Sequence, residues 1–336
     1  MAIRIAINGF GRIGRTLFKV IKDRNLPLEV VAINDLAAPS ELAYLLKYDS
    51  VHGVWPHDVQ GTEDTILVDG AGPKCLKITD PAQMPWRDLK VDVILESTGR
   101  FTSRDGAEKH LAAGAHKVII TAPGKGMDAT FVIGVNDQTY DPRTHHIISN
   151  ASCTTNCLAP IASLLHDRFM IEHGLMTTIH AYTMDQRLQD SMHSDRRRSR
   201  AAALSMIPTT TGAARAVAEV IPDLKGRLDG LAIRVPTPNV SLVDLVLRLG
   251  RDVTKEEVNR VLEEAAAGPL KGILQYVTEE LVSIDFNHTY YSSSVDSKLT
   301  NVIGGRMVKL FSWYDNEFGY SSRAAELAVM VGKSLQ

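Results

Sequence analysis

Ala2-Ile-Arg-Ile-Ala-Ile-Asn8, followed at once by Gly9-Phe-Gly11-Arg-Ile-Gly14, is the stretch on which the fold turns. The first seven residues read as a short apolar strand. Ile13, Leu17, Val20 and Ile21 then recur at helical spacing over Arg12–Lys22, so the glycines lie where a strand passes into a helix. At that junction a tight turn, close approach of a pyrophosphate and close helix packing each require a missing side chain, and the helix N-terminus offers free N–H groups to an anion. Asp35 stands about 20 residues beyond Gly14, at the end of a second strand, Leu28–Asn34, that begins just after Pro27. A carboxylate there can accept hydrogen bonds from an adenosine ribose. An ordinary glycine turn needs no such acid, so the three features together favour a dinucleotide site.

Outward from this unit, apolar runs at Val91–Leu95 and Lys117–Ala122 flank a helix expected over Ser103–Ala113 and ended by Gly114. Strands alternating with helices imply a parallel sheet covered on both faces. The pattern changes near residue 150. Ser152–Phe169 reads as a helix, but the strands beyond it are longer, at Leu175–Tyr182, Leu228–Pro236, Ser241–Leu249 and Arg306–Trp313, with few helices between them. That predicts a mixed or antiparallel sheet. Thr254-Lys-Glu-Glu257 is a capping-box sequence opening a helix that stops at Gly268, and Tyr320–Leu335 has helical spacing again.

At 336 residues the chain exceeds one typical core, which predicts two domains. Its 37 Lys and Arg against 39 Asp and Glu leave a formal charge of −2. No global field is available to hold a polyanion or an acidic membrane, so an anion must be met by a local cluster. Three cysteines, Cys75, Cys153 and Cys157, are too few for a disulfide framework and point to a reducing, cytoplasmic setting. Neither a signal peptide nor a membrane span is expected, because no window approaches 18 uninterrupted apolar residues.

The chemistry-bearing candidates fall beyond residue 150. In Ala151-Ser-Cys-Thr-Thr-Asn-Cys157, Cys153 sits in the first turn of a helix, where the dipole and unpaired N–H groups favour an anion. Cys157, one turn further in, reads as a buried thiol, and without a second cysteine pair a structural zinc is not expected. His180 ends a strand, but spacing alone does not set it beside Cys153. The run Asp195-Arg-Arg-Arg-Ser-Arg200 would ordinarily be a solvated face or a nucleic-acid patch. In a neutral chain it suits a small anion better, with Thr209-Thr-Thr-Gly212 and Arg234 able to donate to phosphate oxygens.

Four segments together resemble the phosphorylating glyceraldehyde-3-phosphate dehydrogenase family: Asn8-Gly-Phe-Gly-Arg-Ile-Gly14, Ser149-Asn-Ala-Ser-Cys-Thr-Thr-Asn-Cys157, Arg234-Val-Pro-Thr-Pro-Asn-Val240 and Ser312-Trp-Tyr-Asp-Asn-Glu-Phe-Gly-Tyr320. The resemblance spans essentially the whole chain. It implies an α/β protein with an N-terminal Rossmann domain over 1–151, an α+β catalytic domain with a mixed sheet over 152–317, and a C-terminal helix over 318–336 that returns to the cofactor domain. It also implies a homotetramer, with glyceraldehyde 3-phosphate and inorganic phosphate as substrates and no nucleic acid required. Oxidation of erythrose 4-phosphate by the same chemistry is the nearest rival, and a non-catalytic dinucleotide- or RNA-binding protein the rival from another class.

By position, the resemblance makes Cys153 the nucleophile and His180 its basic partner. Thr183 and Arg234 match residues that hold the substrate's phosphate. Ser152, Thr154, Thr211 and Gly212 match the region receiving inorganic phosphate, with Arg198 its arginine. On the cofactor side it places NAD on Gly9, Gly11, Arg12, Ile13 and Gly14, with Asp35 on the ribose, Thr121 on the nicotinamide side and Asn316 on the carboxamide. Two positions depart from the pattern: Thr79 stands where the family often has an arginine near the adenine, and Ser191-Met192 where many NAD-dependent members have Leu-Pro. NAD is therefore expected as the cofactor, with weaker use of NADP.

Overall fold

The computed structural model describes residues 2–336 and divides into two compact units. One takes in the chain up to Phe131, together with Thr139–Ala151 and Ser321–Gln336; the other comprises Val132–Gln138 and Ser152–Tyr320.

The first unit is built on a sheet whose described strands run in the order Ala129–Thr130, Ile147–Ser149, Lys117–Ile120, Val93–Glu96, Ile3–Asn8, Leu28–Asn34 and Lys74–Leu76. Every neighbouring pair is parallel. Its central strands Val93–Glu96 and Lys117–Ile120 are buried along their whole length, as expected where crossover helices cover both faces. Helix α1 (Arg12–Asp23) follows the first strand, and its Leu17, Val20 and Ile21 are buried, so the helical spacing read from the sequence is its packed face. Helix α2 (Pro39–Lys47) was not legible, since only Leu42, Ala43 and Leu46 of its nine residues are buried. Helix α3 (Arg104–Ala112) is preceded by Ser103, which lies in extended backbone as its N-cap residue.

The second unit carries a mixed sheet in the order Ile207–Thr210, Leu228–Val235, Ile171–Ala181, Ser241–Leu249, Met307–Tyr314, Ser293–Asp296 and Leu274–Val277. Ile171–Ala181 is parallel to Leu228–Val235 on one side and antiparallel to Ser241–Leu249 on the other. It begins four residues before the stretch expected from apolar content, because polar Glu172 and small Gly174 hid it. A Cβ on Gly174 would come within 2.5 Å of Leu247 Cδ2 and 2.7 Å of Val246 O, so close strand approach excludes a side chain there. Helix α4 (Cys153–Phe169) packs on this sheet and is buried from Thr154 to Ile161, whereas α5 (Ala213–Val220) is too short to have been read from spacing. Helix α6 (Lys255–Ala267) opens as the capping sequence predicts, with Thr254 Oγ1 accepting from Glu257 N–H at 3.1 Å. Helix α7 (Phe318–Lys333) ends the chain's regular structure.

Candidate active site

In the first unit the three motif glycines do different things. Gly9 has φ +91°, and a Cβ on it would lie 2.6 Å from Thr98 N; a Cβ on Gly14 would lie 2.2 Å from Gly9 O. Gly11 has nothing within 4 Å of its Cβ position. The outer glycines thus close the turn, and the middle one leaves the mouth open. Gly11 is the N-cap of α1 and supplies no side-chain cap, so the first-turn N–H groups face outward as an anion cradle. The Arg12 guanidinium is held by Asp49 at 2.8 Å, which leaves the backbone of Arg12 and Ile13, rather than the arginine side chain, to meet a pyrophosphate. Asp35 accepts Phe10 N–H at 2.8 Å on one carboxylate oxygen and Ala37 N–H at 3.2 Å on the other. Thr121 Oγ1, at the end of its strand, donates to Glu96 O at 3.1 Å. An open turn, an uncapped helix end and a fixed carboxylate fit a dinucleotide.

In the second unit, strand register sets the chemistry. His180 pairs with Arg234 across the parallel Ile171–Ala181 and Leu228–Val235 strands, so both side chains leave the same face. That face meets the N-terminus of α4, where Ser152 Oγ accepts Thr155 N–H at 3.0 Å as the N-cap. Cys153 Sγ then lies 3.6 Å from His180 Nε2. His180 Nδ1 is 2.6 Å from Ala181 O, a contact between ring nitrogen and carbonyl that requires the proton on Nδ1 and leaves the Nε2 lone pair facing the thiol. Ala151, immediately before the cap, holds φ at +56°, a left-handed conformation that costs a non-glycine residue about 1 kcal/mol and persists because neighbouring structure demands it.

Arg234 Nη1 donates to Ala181 O at 3.2 Å and to Thr183 Oγ1 at 3.5 Å; it lies 3.0 Å from His180 Nδ1, which carries its own proton toward Ala181 O and does not accept from it, while Arg234 Nε is buried without a hydrogen-bond partner. A buried cationic N–H without a protein acceptor fits an anion. Burial and the Arg234 charge push His180 down to about 3. Burial also raises the Cys153 thiol, against the pull of Arg234 and of the first-turn N–H groups. At Cys153 burial therefore opposes the helix end and the Arg234 charge.

The remaining candidates divide. Arg198 bonds Asp185 at 2.6 Å, Thr209 Oγ1 at 3.0 Å and Thr210 O at 3.2 Å, which fixes it beside the segment that continues into Thr211 and Gly212. The Thr154 hydroxyl lies 2.8 Å from Tyr314 OH. Asn316 Oδ1 accepts from Ser241 Oγ at 2.7 Å, and the same hydroxyl accepts Ala181 N–H. Within the basic run, Arg197 donates to Pro208 O and Arg200 to Asp190, which engages each guanidinium within the chain. Sequence reasoning assigned nothing to Tyr314, whose hydroxyl bridges Thr154 and Thr178 and whose ring stands edge-on to His180 at 6.0 Å. Thr178, two residues before His180 on the same strand face, was findable from the period of two.

The buried neutral imidazole has a pH consequence. Unfolding returns His180 to 6.5, so between 6.5 and about 3 the unfolded chain binds one proton more than the native one. Its contribution is complete above pH 6.5 and is lost by roughly 1.4 kcal/mol per pH unit as the pH falls through that window. Denaturant titrations at pH 7 and pH 5 should show a slope that His180→Phe abolishes; an unchanged slope would mean that the imidazole is accessible to protons in the native state.

The chain matches two family models: "Glyceraldehyde 3-phosphate dehydrogenase, NAD binding domain" over residues 3–104 and "Glyceraldehyde 3-phosphate dehydrogenase, C-terminal domain" over residues 152–316. It is 56% identical over 331 residues to the glyceraldehyde-3-phosphate dehydrogenase of Geobacillus stearothermophilus, covering 98% of both chains. It is 54% identical over 336 residues to that of Streptomyces coelicolor, covering all of both, and 54% identical over 333 residues to glyceraldehyde-3-phosphate dehydrogenase 1 of Bacillus subtilis, covering 99% of both. Neither the tetrose-phosphate reading nor the non-catalytic one is favoured by these likenesses. No helix among the described residues is long and apolar enough to cross a membrane.

Proposed function

Because this chain belongs to the glyceraldehyde-3-phosphate dehydrogenase family and oxidises glyceraldehyde 3-phosphate with NAD, we propose that it does so through a thioester on Cys153, which inorganic phosphate then cleaves. The observation that carries this is the 3.6 Å approach of Cys153 Sγ to the unprotonated Nε2 of His180. As sulfur adds to the aldehyde carbon, the S–H proton passes to His180 Nε2 and returns to the new oxygen, giving a hemithioacetal. His180 then removes that hydroxyl proton as the C–H bond breaks. NAD, when bound, accepts the hydride. Phosphate attack on the resulting thioester expels the Cys153 thiolate and yields an acyl phosphate.

A base held near 3 is weak, and the cause suggests its remedy. Burial is the larger part, but Arg234 contributes. A substrate phosphate seated on Arg234 Nε and Thr183 screens that cation and restores basicity to His180 as the aldehyde arrives. Ser152, Thr154, Thr211, Gly212 and Arg198 are assigned to the incoming phosphate. Gly9, Gly11, Arg12, Ile13, Gly14, Asp35 and Thr121 are assigned to NAD, with Asn316 assigned to its carboxamide. The first unit is thus the cofactor domain and the second the catalytic one.

Arg234→Leu tests the substrate assignment. Loss of a charge-assisted contact of about 1.5 to 3 kcal/mol should lower kcat/KM for glyceraldehyde 3-phosphate by roughly 10- to 150-fold. With unphosphorylated glyceraldehyde the acid limb of the pH profile should move upward, because the guanidinium beside Nδ1 is gone. An equal loss on both aldehydes with no movement of the limb would make Arg234 structural.

The assembly is proposed as a homotetramer, in which the apolar side chains Met184, Leu188, Met192, Leu204 and Met206, each at least 74% exposed in the single chain, are covered by other copies. Cys75, Cys153 and Cys157 are all free, which supports a reducing, cytoplasmic setting.

A further inference from the structure

Beneath the dinucleotide turn lies a line of buried polar side chains that no assignment above uses. Asn34, Asn8 and Glu96 stand in register at the ends of three adjacent parallel strands and therefore share a face. Asn34 is 5% exposed, Asn8 1% and Glu96 1%; His110 beside them is fully buried. Trp86 Nε1–H can only donate, and it lies 3.0 Å from His110 Nδ1, so that nitrogen is the acceptor and the imidazole proton is on Nε2. Nε2–H donates in turn to Glu96 Oε2 at 3.0 Å, alongside Asn8 Nδ2 at 2.6 Å. Glu96 Oε1 accepts Thr98 N–H at 2.9 Å and the Thr98 hydroxyl. The carboxylate is thus met by four donors, every one from the first unit.

The line continues away from Glu96. Asn8 Oδ1 accepts Asn34 Nδ2 at 2.8 Å, and Asn34 exchanges two bonds of 2.9 Å with the backbone of Ile78. Both ends touch the cofactor cradle. Thr98 is the residue against which the Gly9 turn closes, and Asn34 immediately precedes Asp35.

We infer that Glu96, oriented by His110 and Trp86, is a positioning residue for the dinucleotide site: it holds Thr98 against the Gly9 turn and, through Asn8 and Asn34, fixes the strand end that carries Asp35. The inference rests on the NAD assignment and adds to it. A carboxylate is required because only an acceptor on both oxygens satisfies four donors. An amide at this position turns an N–H toward donors that cannot reciprocate, since Trp86 holds His110 in its tautomer. The turn and Asp35 then lose their common anchor.

The test is calorimetric titration of Glu96→Gln with NAD and with ADP-ribose, beside steady-state kinetics and a melting curve. Kd for both ligands should rise about tenfold or more, because the side chains of the line end against the Gly9 turn and beside Asp35. The kinetic loss should fall on KM for NAD, with kcat at saturation reduced less than threefold. If Glu96→Gln does not fold, Trp86→Phe, which frees His110 Nδ1 without touching Gly9, Thr98 or Asp35, should still weaken NAD two- to fivefold. A folded Glu96→Gln binding NAD within twofold of wild type, or Trp86→Phe with unchanged affinity, overturns the inference. Wild-type protein binding neither ligand contradicts the cofactor assignment instead.

Discussion

His180→Asn is expected to lower kcat by about 10² to 10⁴ while leaving the affinity for NAD unchanged. The size of the effect follows from how little the helix end can do alone. Were a thiol brought from about 8.5 to about 6, its thiolate fraction at pH 7 would rise roughly 30-fold, and a Brønsted slope near 0.45 would return roughly 10-fold of that as lost nucleophilicity. At Cys153 burial opposes even that few-fold gain. His180 must then take the proton twice, from sulfur during addition and from the hemithioacetal hydroxyl during hydride loss. The Nδ1–H bond to Ala181 O fixes the tautomer for both transfers. Stopped-flow NADH formation and NAD titration check the split. Turnover within about threefold of wild type would remove His180 from the mechanism.

NAD should be preferred over NADP by on the order of 10² to 10³ in kcat/KM, and Asp35 is the reason. A 2′-phosphate about 5 Å from the carboxylate in a water-like dielectric meets a repulsion of roughly 0.8 kcal/mol per unit pair, hence roughly 1.2 to 1.7 for its charge near −1.5 to −2. Losing the charged hydrogen bond to the ribose adds about 1.5 to 3 kcal/mol. Against this total of roughly 3 to 4.5 kcal/mol, the Ser191 hydroxyl, standing where many members have leucine, could return about 0.5 to 1.5 through one neutral bond. The carboxylate cannot swing aside, because Phe10 N–H and Ala37 N–H hold its two oxygens. Asp35→Asn keeps an acceptor for Phe10 N–H and removes the charge, at the cost of turning its amide N–H toward Ala37 N–H. It should narrow the ratio at least tenfold by weakening NAD and admitting NADP. Wild-type efficiencies for the two cofactors within fivefold of each other would refute this balance.

What could be read from the chain was what is local. The strand, glycine turn and helix over Ala2–Lys22 declare themselves by period and by three missing side chains within six residues. Cys153 was legible because a helix start is a local event. His180 and Arg234 were visible as residues ending strands, but their contact depends on which strands pair and in what register, across 54 positions of sequence. The same holds for Glu96 and Asn8, 88 apart, whose bond is invisible until the parallel order of the sheet is known. Asp185, which holds Arg198, carried no signal at all: an acid in a loop is ordinary until its partner arrives. The burial that opposes the helix end at Cys153 was illegible for a related reason, since the helix dipole can be read from sequence and burial cannot.

The most direct measurement of the central claim is a single turnover of the wild-type enzyme with NAD and glyceraldehyde 3-phosphate in the absence of inorganic phosphate, quenched in acid and mapped by peptide mass spectrometry. One NADH per subunit should form in a burst, with the phosphoglyceroyl group on the peptide bearing Cys153 and released when phosphate is added. Continuous NADH formation with no adduct, or an adduct on Cys75 or Cys157, would contradict it.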